Sequence, residues 1–219
     1  MATSTSIETV ADLLEQLGPI SLSRIRPIPA PGVATEQDVV DLDTHEDRLY
    51  ELIDGVLVEK VMGFYESYLA VLIGRFLGNF ASDNDLGIVA GSDGMLKLFP
   101  GQVRIPDVCF VSWDRLPNRE VPRDPVPDLV PDLAVEVISK GNTQQEMNRK
   151  LHEYFEAGVQ LVWYVYPKTE TVHIYASVDN VLELSIGQSL DGGEVLPGFE
   201  LQLDKIFSKP RTETEEASS

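Results

Sequence analysis

The sequence predicts one α/β (α+β) domain, a mixed central sheet flanked by helices with an N-terminal β-hairpin. Three observations carry that expectation. Leu49–Lys60 contains two strand-like runs, LYELI and VLVEK, joined by Asp54-Gly55. That dipeptide favours the two-residue turn whose twist matches paired strands. Asp132–Ser139 (DLAVEVIS) and Gln160–Tyr166 (QLVWYVY) are almost continuously apolar, as strands buried on both faces are. Thr143–Ala157, between them, has helical spacing and is stopped by Gly158.

The other elements follow in order. Ser6–Leu17 reads as a short amphipathic helix ended by Gly18, a residue suited to the left-handed position after a helix. Arg26–Gly32 is proline-rich and reads as an extended connector. Thr35 can cap a helix running to about His45, with Asp38 completing a shortened capping box. Phe64–Phe80 repeats apolar residues at helical spacing (Leu69, Leu72/Ile73, Phe76, Phe80). Gly87–Gly91 and Met95–Phe99 flank Asp93-Gly94 and predict a second hairpin. Arg104–Trp113 reads as one strand, and Leu116–Pro131, with five prolines, as a loop. Val172–Tyr175 and Val181–Leu184 read as final strands and Leu203–Phe207 as a closing turn. The expected organisation is a helix and connector over 1–34, one domain over 35–208, and a disordered acidic tail over 209–219.

Composition narrows the class. The chain has 219 residues, with 36 Asp+Glu against 17 Lys+Arg, a formal charge of −19. Its single cysteine, Cys109, excludes an internal disulfide. No apolar run approaches the ~18 residues of a membrane span. The first residues have neither a basic stretch nor an apolar core, so no signal peptide is expected. The expected location is the cytoplasm. The charge argues against a nucleic-acid binder, which normally gains from a basic surface. The acidity is uneven, however. Residues 101–150 hold 8 acidic and 7 basic residues. In that window Arg104, Arg115, Arg119, Arg123, Arg149 and Lys150 are candidates to meet phosphate.

The same window holds the residues with chemical potential. Glu136 is the only charge inside Leu133–Ile138. An isolated buried carboxylate costs several kcal/mol, so Glu136 must be paired, protonated or metal-bound. Asp107 follows Pro106 near a strand start. Alone it is an ordinary strand entry; with Glu136 on a neighbouring strand it could share a hard cation such as Mg²⁺. Lys150 lies three residues after Met147 and four before Tyr154, bordering an apolar helical stripe. It can reach along the sheet toward the strand ends, or pair with Glu146 on the helix surface.

In these residues the chain resembles the Uma-two family of bacterial endonucleases, within the PD-(D/E)XK (restriction-endonuclease-like) superfamily. The matching segments are Tyr50–Glu59 (YELIDGVLVE), Arg104–Ser112 (RIPDVCFVS), Pro131–Ser139 (PDLAVEVIS) and Lys150–Pro167, over roughly residues 35–207. The resemblance implies a restriction-endonuclease-like fold, with Asp107 as the metal-binding Asp after Pro and Glu136 as the first acid of the (D/E)XK element. The superfamily lysine would fall at Ile138, which is a departure. The resemblance implies its displacement onto the following helix, which makes Lys150 the candidate and Lys140, at the end of the strand, its rival. Glu51, Glu66, Ser139, Lys140 and Asn142 are further candidates to line the pocket, with ordinary structural roles as alternatives.

The activity implied is Mg²⁺- or Mn²⁺-dependent hydrolysis of DNA phosphodiester bonds. Asp107 and Glu136 would hold the metal and Lys150 would assist. RNA or branched DNA are alternative substrates, and a homodimer is the simplest way to cut both strands of a duplex. The alternative class is a non-catalytic nuclease-like scaffold that binds a protein partner, which Ile138 and the −19 charge favour. Other chemistries lack their motifs. There is no Walker loop and no G-x-S-x-G elbow, and His45, His152 and His173 have no zinc-type spacing.

Overall fold

The computed structural model describes residues 7, 9–46 and 48–208. The predicted acidic tail lies outside these residues. The organising element is a six-stranded sheet. It contains β3 (Gly87–Gly91), β6 (Val108–Ser112), β7 (Leu133–Val137), β8 (Leu161–Tyr166), β9 (Thr171–Ser177) and β10 (Asn180–Leu184). The order is β10-β9-β8-β7-β6-β3. Only β7 and β8 run parallel; the other neighbours are antiparallel, so the sheet is mixed. The parallel pair needs a crossover, and α4 (Gln144–Ala157) supplies it. Thr143 caps α4 in a reciprocal box with Glu146, and Gly158 ends it at φ 97°.

Strand alternation divides the core into two layers. Leu133, Val135 and Val137 point to the face covered by α3 (Phe64–Asp83), against Leu69, Ile73 and Leu77. Each of these α3 residues is fully buried, worth about 1.5–3 kcal/mol apiece. Ala134 points to the opposite face, where α4 lays down Met147, Leu151 and Tyr154. Glu136 shares that face with Ala134, so a helix, not solvent, lies over it.

A second sheet of four strands sits beside the first. Its order is β2-β1-β5-β4, with β1 Tyr50–Ile53, β2 Val56–Glu59, β4 Leu96–Phe99 and β5 Gln102–Arg104. The predicted N-terminal hairpin is present: Ile53 pairs with Val56 across a turn in which Asp54 (φ 49°) and Gly55 (φ 77°) are both left-handed. A side chain on Gly55 would strike the backbone of Gly32, 2.6 Å away. The helix α1 (Val10–Leu17) packs Leu13 and Leu17 against Ile53, Val56 and Val58. The helix α2 (Glu36–Glu46) packs Val39 and Leu42 against Leu52, Leu57 and Val103.

Two expectations are corrected. The segments around Asp93-Gly94 do not form a hairpin: β3 pairs with β6, and β4 pairs with β5. The chain changes sheets between them, which local turn chemistry does not reveal. The single strand expected over Arg104–Trp113 is two. β5 ends at Arg104, and β6 begins at Val108 in the other sheet. Pro106, which has no N–H to donate, lies in the break. Sequence reading also passed over β11 (Ser189–Gly192) and β12 (Leu196–Gln202), which form a separate ribbon. The closing turn is α5 (Asp204–Phe207), whose Ile206 and Phe207 are buried.

Candidate active site

The break at Pro106 brings the two sheets into contact. Antiparallel pairing aligns Val108 with Val135, Cys109 with Ala134 and Phe110 with Leu133. Asp107 lies just before β6, at the end of this ladder. Its N donates to Val135 O at 3.0 Å and its Oδ2 accepts from Val137 N at 2.6 Å, which sets it beside Glu136. The two carboxylates line one pocket, and like charges so placed repel. Both carboxylates are also buried, each 5% exposed. Cations must therefore converge on them.

Two lysines do. Lys150 reaches down from α4 and sets Nζ 2.8 Å from Glu136 Oε1 and 2.9 Å from Glu51 Oε1. Lys60, immediately after β2, sets Nζ 2.8 Å from Asp107 Oδ1 and also donates to Ile105 O at 2.5 Å. Hydroxyl and amide donors complete the set. Tyr154 Oη donates to Glu136 Oε1 at 2.5 Å, and Val137 N donates to Asp107 Oδ2 at 2.6 Å.

Behind Glu51 lies a second charge network. Arg104 is buried and donates Nη1 to Glu51 Oε2 at 2.7 Å, and Nε to Glu153 Oε2 at 2.7 Å. Its Nη2 also pairs with Glu153. Ile105 N donates to Glu51 Oε1 at 3.1 Å. Arg149 continues the chain outward, 2.6 Å from Glu153 Oε1 and 2.7 Å from Asp54 Oδ2. On another side Arg24 holds Glu146 at 2.8 Å.

These contacts set the protonation states. Burial opposes ionisation of Glu51, but the Lys150 and Arg104 charges outweigh it and hold its carboxyl well below the usual carboxylate range. Glu136 moves the other way. Burial raises its pKa, with the Asp107 and Glu51 carboxylates adding to the rise and Lys150 offsetting part of it. Burial works against the Lys150 charge too, yet Glu136 and Glu51 raise its pKa and keep it protonated. Tyr154 stays a phenol: burial and then Glu136 push its pKa well above the ordinary value. Burial also pushes the Cys109 thiol up to about 12, which leaves it inert.

Glu51, Lys60, Asp107, Glu136, Glu146 and Lys150 line one pocket of about 20 Å³, room for about one water. Asn142 borders it as well. Of the other candidates, Ser139 donates Oγ to Asn142 Oδ1 at 2.9 Å in the turn before α4. Lys140 is exposed in that turn. Glu66 folds back over Gly63, at the start of its own helix. These three are not among the residues lining the pocket. The surface pair of Lys150 with Glu146 is not formed: Glu146 belongs to Arg24, and Lys150 is buried.

Lys60, Arg104 and Tyr154 are the partners that sequence reading missed as such. Tyr154 had a signal, since it lies four residues after Lys150 on the same face of α4. In the basic window, Arg104, Arg115, Arg149 and Lys150 pair with carboxylates of the same chain, and Arg119 pairs with Asp85 at the surface.

The donor set suits a hard cation. Asp107 and Glu136 offer carboxylate oxygens to one pocket, and Mg²⁺ is commonly held by one or two carboxylates plus waters. Among the described residues no group of three or more His, Cys, Asp or Glu is arranged to enclose a metal. A site here would be of the open, two-carboxylate kind. Lys60 occupies Asp107, so a cation would have to compete with an ammonium.

Comparison with known proteins agrees with this architecture. A solved structure from Anabaena variabilis ATCC 29413, described as a "putative nuclease belonging to DUF820", superimposes with a TM-score of 0.66 at 17% identity. The match covers 74% of this chain and 91% of that one, and it shows a shared fold. No curated protein matches the chain in sequence. The family profile of Uma2, "Putative restriction endonuclease", matches residues 36–204. That span takes in both sheets from α2 to β12 and every residue of the pocket except Arg24, and by it the chain belongs to the Uma2 family.

Proposed function

We propose that this protein is a Mg²⁺- or Mn²⁺-dependent endonuclease that hydrolyses DNA phosphodiester bonds at the pocket of Asp107, Glu136 and Lys150. The observation that carries the reading is the pair of buried carboxylates lining one pocket, with the Lys150 ammonium 2.8 Å from one of them. Asp107 and Glu136 would hold the cation. When bound, such a cation supplies Lewis-acid polarisation of a phosphoryl oxygen and a water of lowered pKa.

The chain's own residues have defined parts. Lys150 is held protonated by Glu136 and Glu51, so it acts as a donor that stabilises negative charge developing at the phosphate, not as a base. Glu51 and Arg104 hold the far side of Lys150 and orient it. Tyr154 fixes the rotamer of Glu136 through its hydroxyl. Family membership makes DNA the first substrate to test. The small pocket and the internal pairing of the basic window favour the second reading, a scaffold that binds a protein partner without cleavage.

Incubation of supercoiled plasmid with Mg²⁺ or Mn²⁺ separates the two. Nicking that EDTA abolishes is the expected result. The Lys150→Met variant should lose about 10²–10³-fold in rate, as when a donor to developing charge is removed. Unchanged cleavage by folded Lys150→Met or Glu136→Gln would overturn the assignment. Absence of cleavage on DNA or RNA at any metal concentration would favour the scaffold.

A further inference from the structure

Lys60 takes no part in the roles above, yet it is the cation seated on Asp107, one of the two possible metal ligands. Asp107 contributes to two cavities. It lines the small pocket, and it also borders a groove of about 500 Å³ between α3 and β3, bounded by Ala70, Gly74 and Gly91. An ion arriving from solvent along that groove would meet Asp107 first. Both Asp107 oxygens already have a donor. Val137 N lies 2.6 Å from Oδ2, and Lys60 Nζ lies 2.8 Å from Oδ1. The backbone amide belongs to the sheet and cannot leave. The ammonium can.

Lys60 opens the irregular stretch 60–63 between β2 and α3. Its backbone is pinned by Lys60 N to Leu49 O at 2.9 Å, but the head sits on a flexible four-carbon stem. A divalent cation sits about 2.0–2.6 Å from a carboxylate oxygen. An ammonium on the same oxygen would then lie roughly 4–5 Å from it, and two cations that close in a buried site repel strongly. Asp107 therefore binds one at the expense of the other.

We propose that Lys60 is a built-in competitor for the divalent cation: its ammonium occupies Asp107 in the free protein, and metal binding requires its release. This rests on the metal reading of the site given above. It goes beyond that reading in naming a residue that lowers metal affinity and that moves when metal binds. In the free protein Lys60 neutralises Asp107, which lets two neighbouring carboxylates stay buried without a metal. Once released, its head is free beside the groove.

Titration of the full-length protein with Mn²⁺, followed by the EPR signal of free ion, tests the assignment without any activity assay. Lys60→Met keeps the length of the stem and removes the charge. It should bind Mn²⁺ about 10–100-fold more tightly than wild type, the range by which residues around metal ligands alter affinity. Adding Asp107→Asn to that variant should abolish the gain. A second measurement uses the wild-type chain, in case Lys60→Met does not fold. Reductive methylation read by mass spectrometry should modify Lys60 faster when Mn²⁺ is present. Equal Mn²⁺ affinity in wild type and Lys60→Met, or unchanged methylation while Mn²⁺ binds, would overturn the role of Lys60 and leave the metal site standing. Failure of both proteins to bind Mn²⁺ would overturn the metal site, and this inference with it.

Discussion

Glu51 and Glu136 touch the same ammonium, at 2.9 and 2.8 Å, and both are buried. Their carboxyls nevertheless move in opposite directions, Glu51 down and Glu136 up. The difference lies in the next neighbour. Glu51 has a second full positive charge, Arg104, and the amide of Ile105. Glu136 has a neutral phenol, Tyr154, and the negative Asp107 beside it. Sharing one lysine thus produces a permanently ionised, structural carboxylate on one side and a carboxylate in want of positive charge on the other. The first holds Lys150 in place; the second is the carboxylate that a cation would neutralise under the proposed function.

Three changes break or sharpen that contrast. The largest effect is expected from Arg104→Met, which strands Glu51 and Glu153 without their guanidinium. Removing one partner of a buried pair costs about 3–5 kcal/mol, and the midpoint of urea unfolding should fall accordingly. A cost below about 1 kcal/mol, the level of an exposed pair, would mean the network behind Glu51 is not structural.

Next comes the pair Glu51→Gln and Glu136→Gln, compared across pH. At neutral pH Glu51→Gln should cost about 1.5–3 kcal/mol, the worth of hydrogen bonds to charged groups. The folded pKa of Glu51 lies below its ordinary value of 4.5. Its stabilisation is therefore complete above that pH and disappears as pH falls through the folded value. The folded pKa of Glu136 lies above 4.5. Its contribution is complete below 4.5 and declines as pH rises through the folded value, so Glu136→Gln should be the milder variant at neutral pH. Opposite slopes of stability against pH for the two variants, relative to wild type, are the expected signature. Parallel slopes would show that the two carboxylates are equivalent.

The smallest effect belongs to Asp54→Asn. Asp54 is 59% exposed at the outer end of the network, paired with Arg149. Asparagine also suits the left-handed turn position. A loss of at most about 1 kcal/mol is expected from thermal or urea unfolding. A larger loss would extend the structural network to the surface.

Much of the fold was legible because its signals are local. Asp54-Gly55 between alternating runs specified the first hairpin, and Thr143, Glu146 and Gly158 marked both ends of α4. The second expected hairpin failed for an instructive reason. Asp93-Gly94 is a good turn signal, but it sits where the chain leaves one sheet for the other, and partner choice is a long-range property. The candidate site divides in the same way. Glu136 stood out as a charge in an apolar strand, and Asp107 and Lys150 through the resemblance. Lys60 and Arg104 did not, because their carboxylate partners are 47 to 53 residues away in sequence and no local pattern ties them.

The sequence by itself determined the fold class and the burial of Glu136, because an almost continuously apolar strand is buried on both faces. It also carried the resemblance that the family match over residues 36–204 bears out. Only the tertiary structure decided how the charges are shared. The break at Pro106 joins two sheets, and that junction brings Glu51 from one hairpin, Asp107 and Glu136 from the central sheet, and Lys150 from the crossover helix around one pocket. Electrostatic energies depend on separation and burial, which chain order does not encode, so the opposite fates of the two glutamates and the ammonium on Asp107 emerge only when the chain is folded.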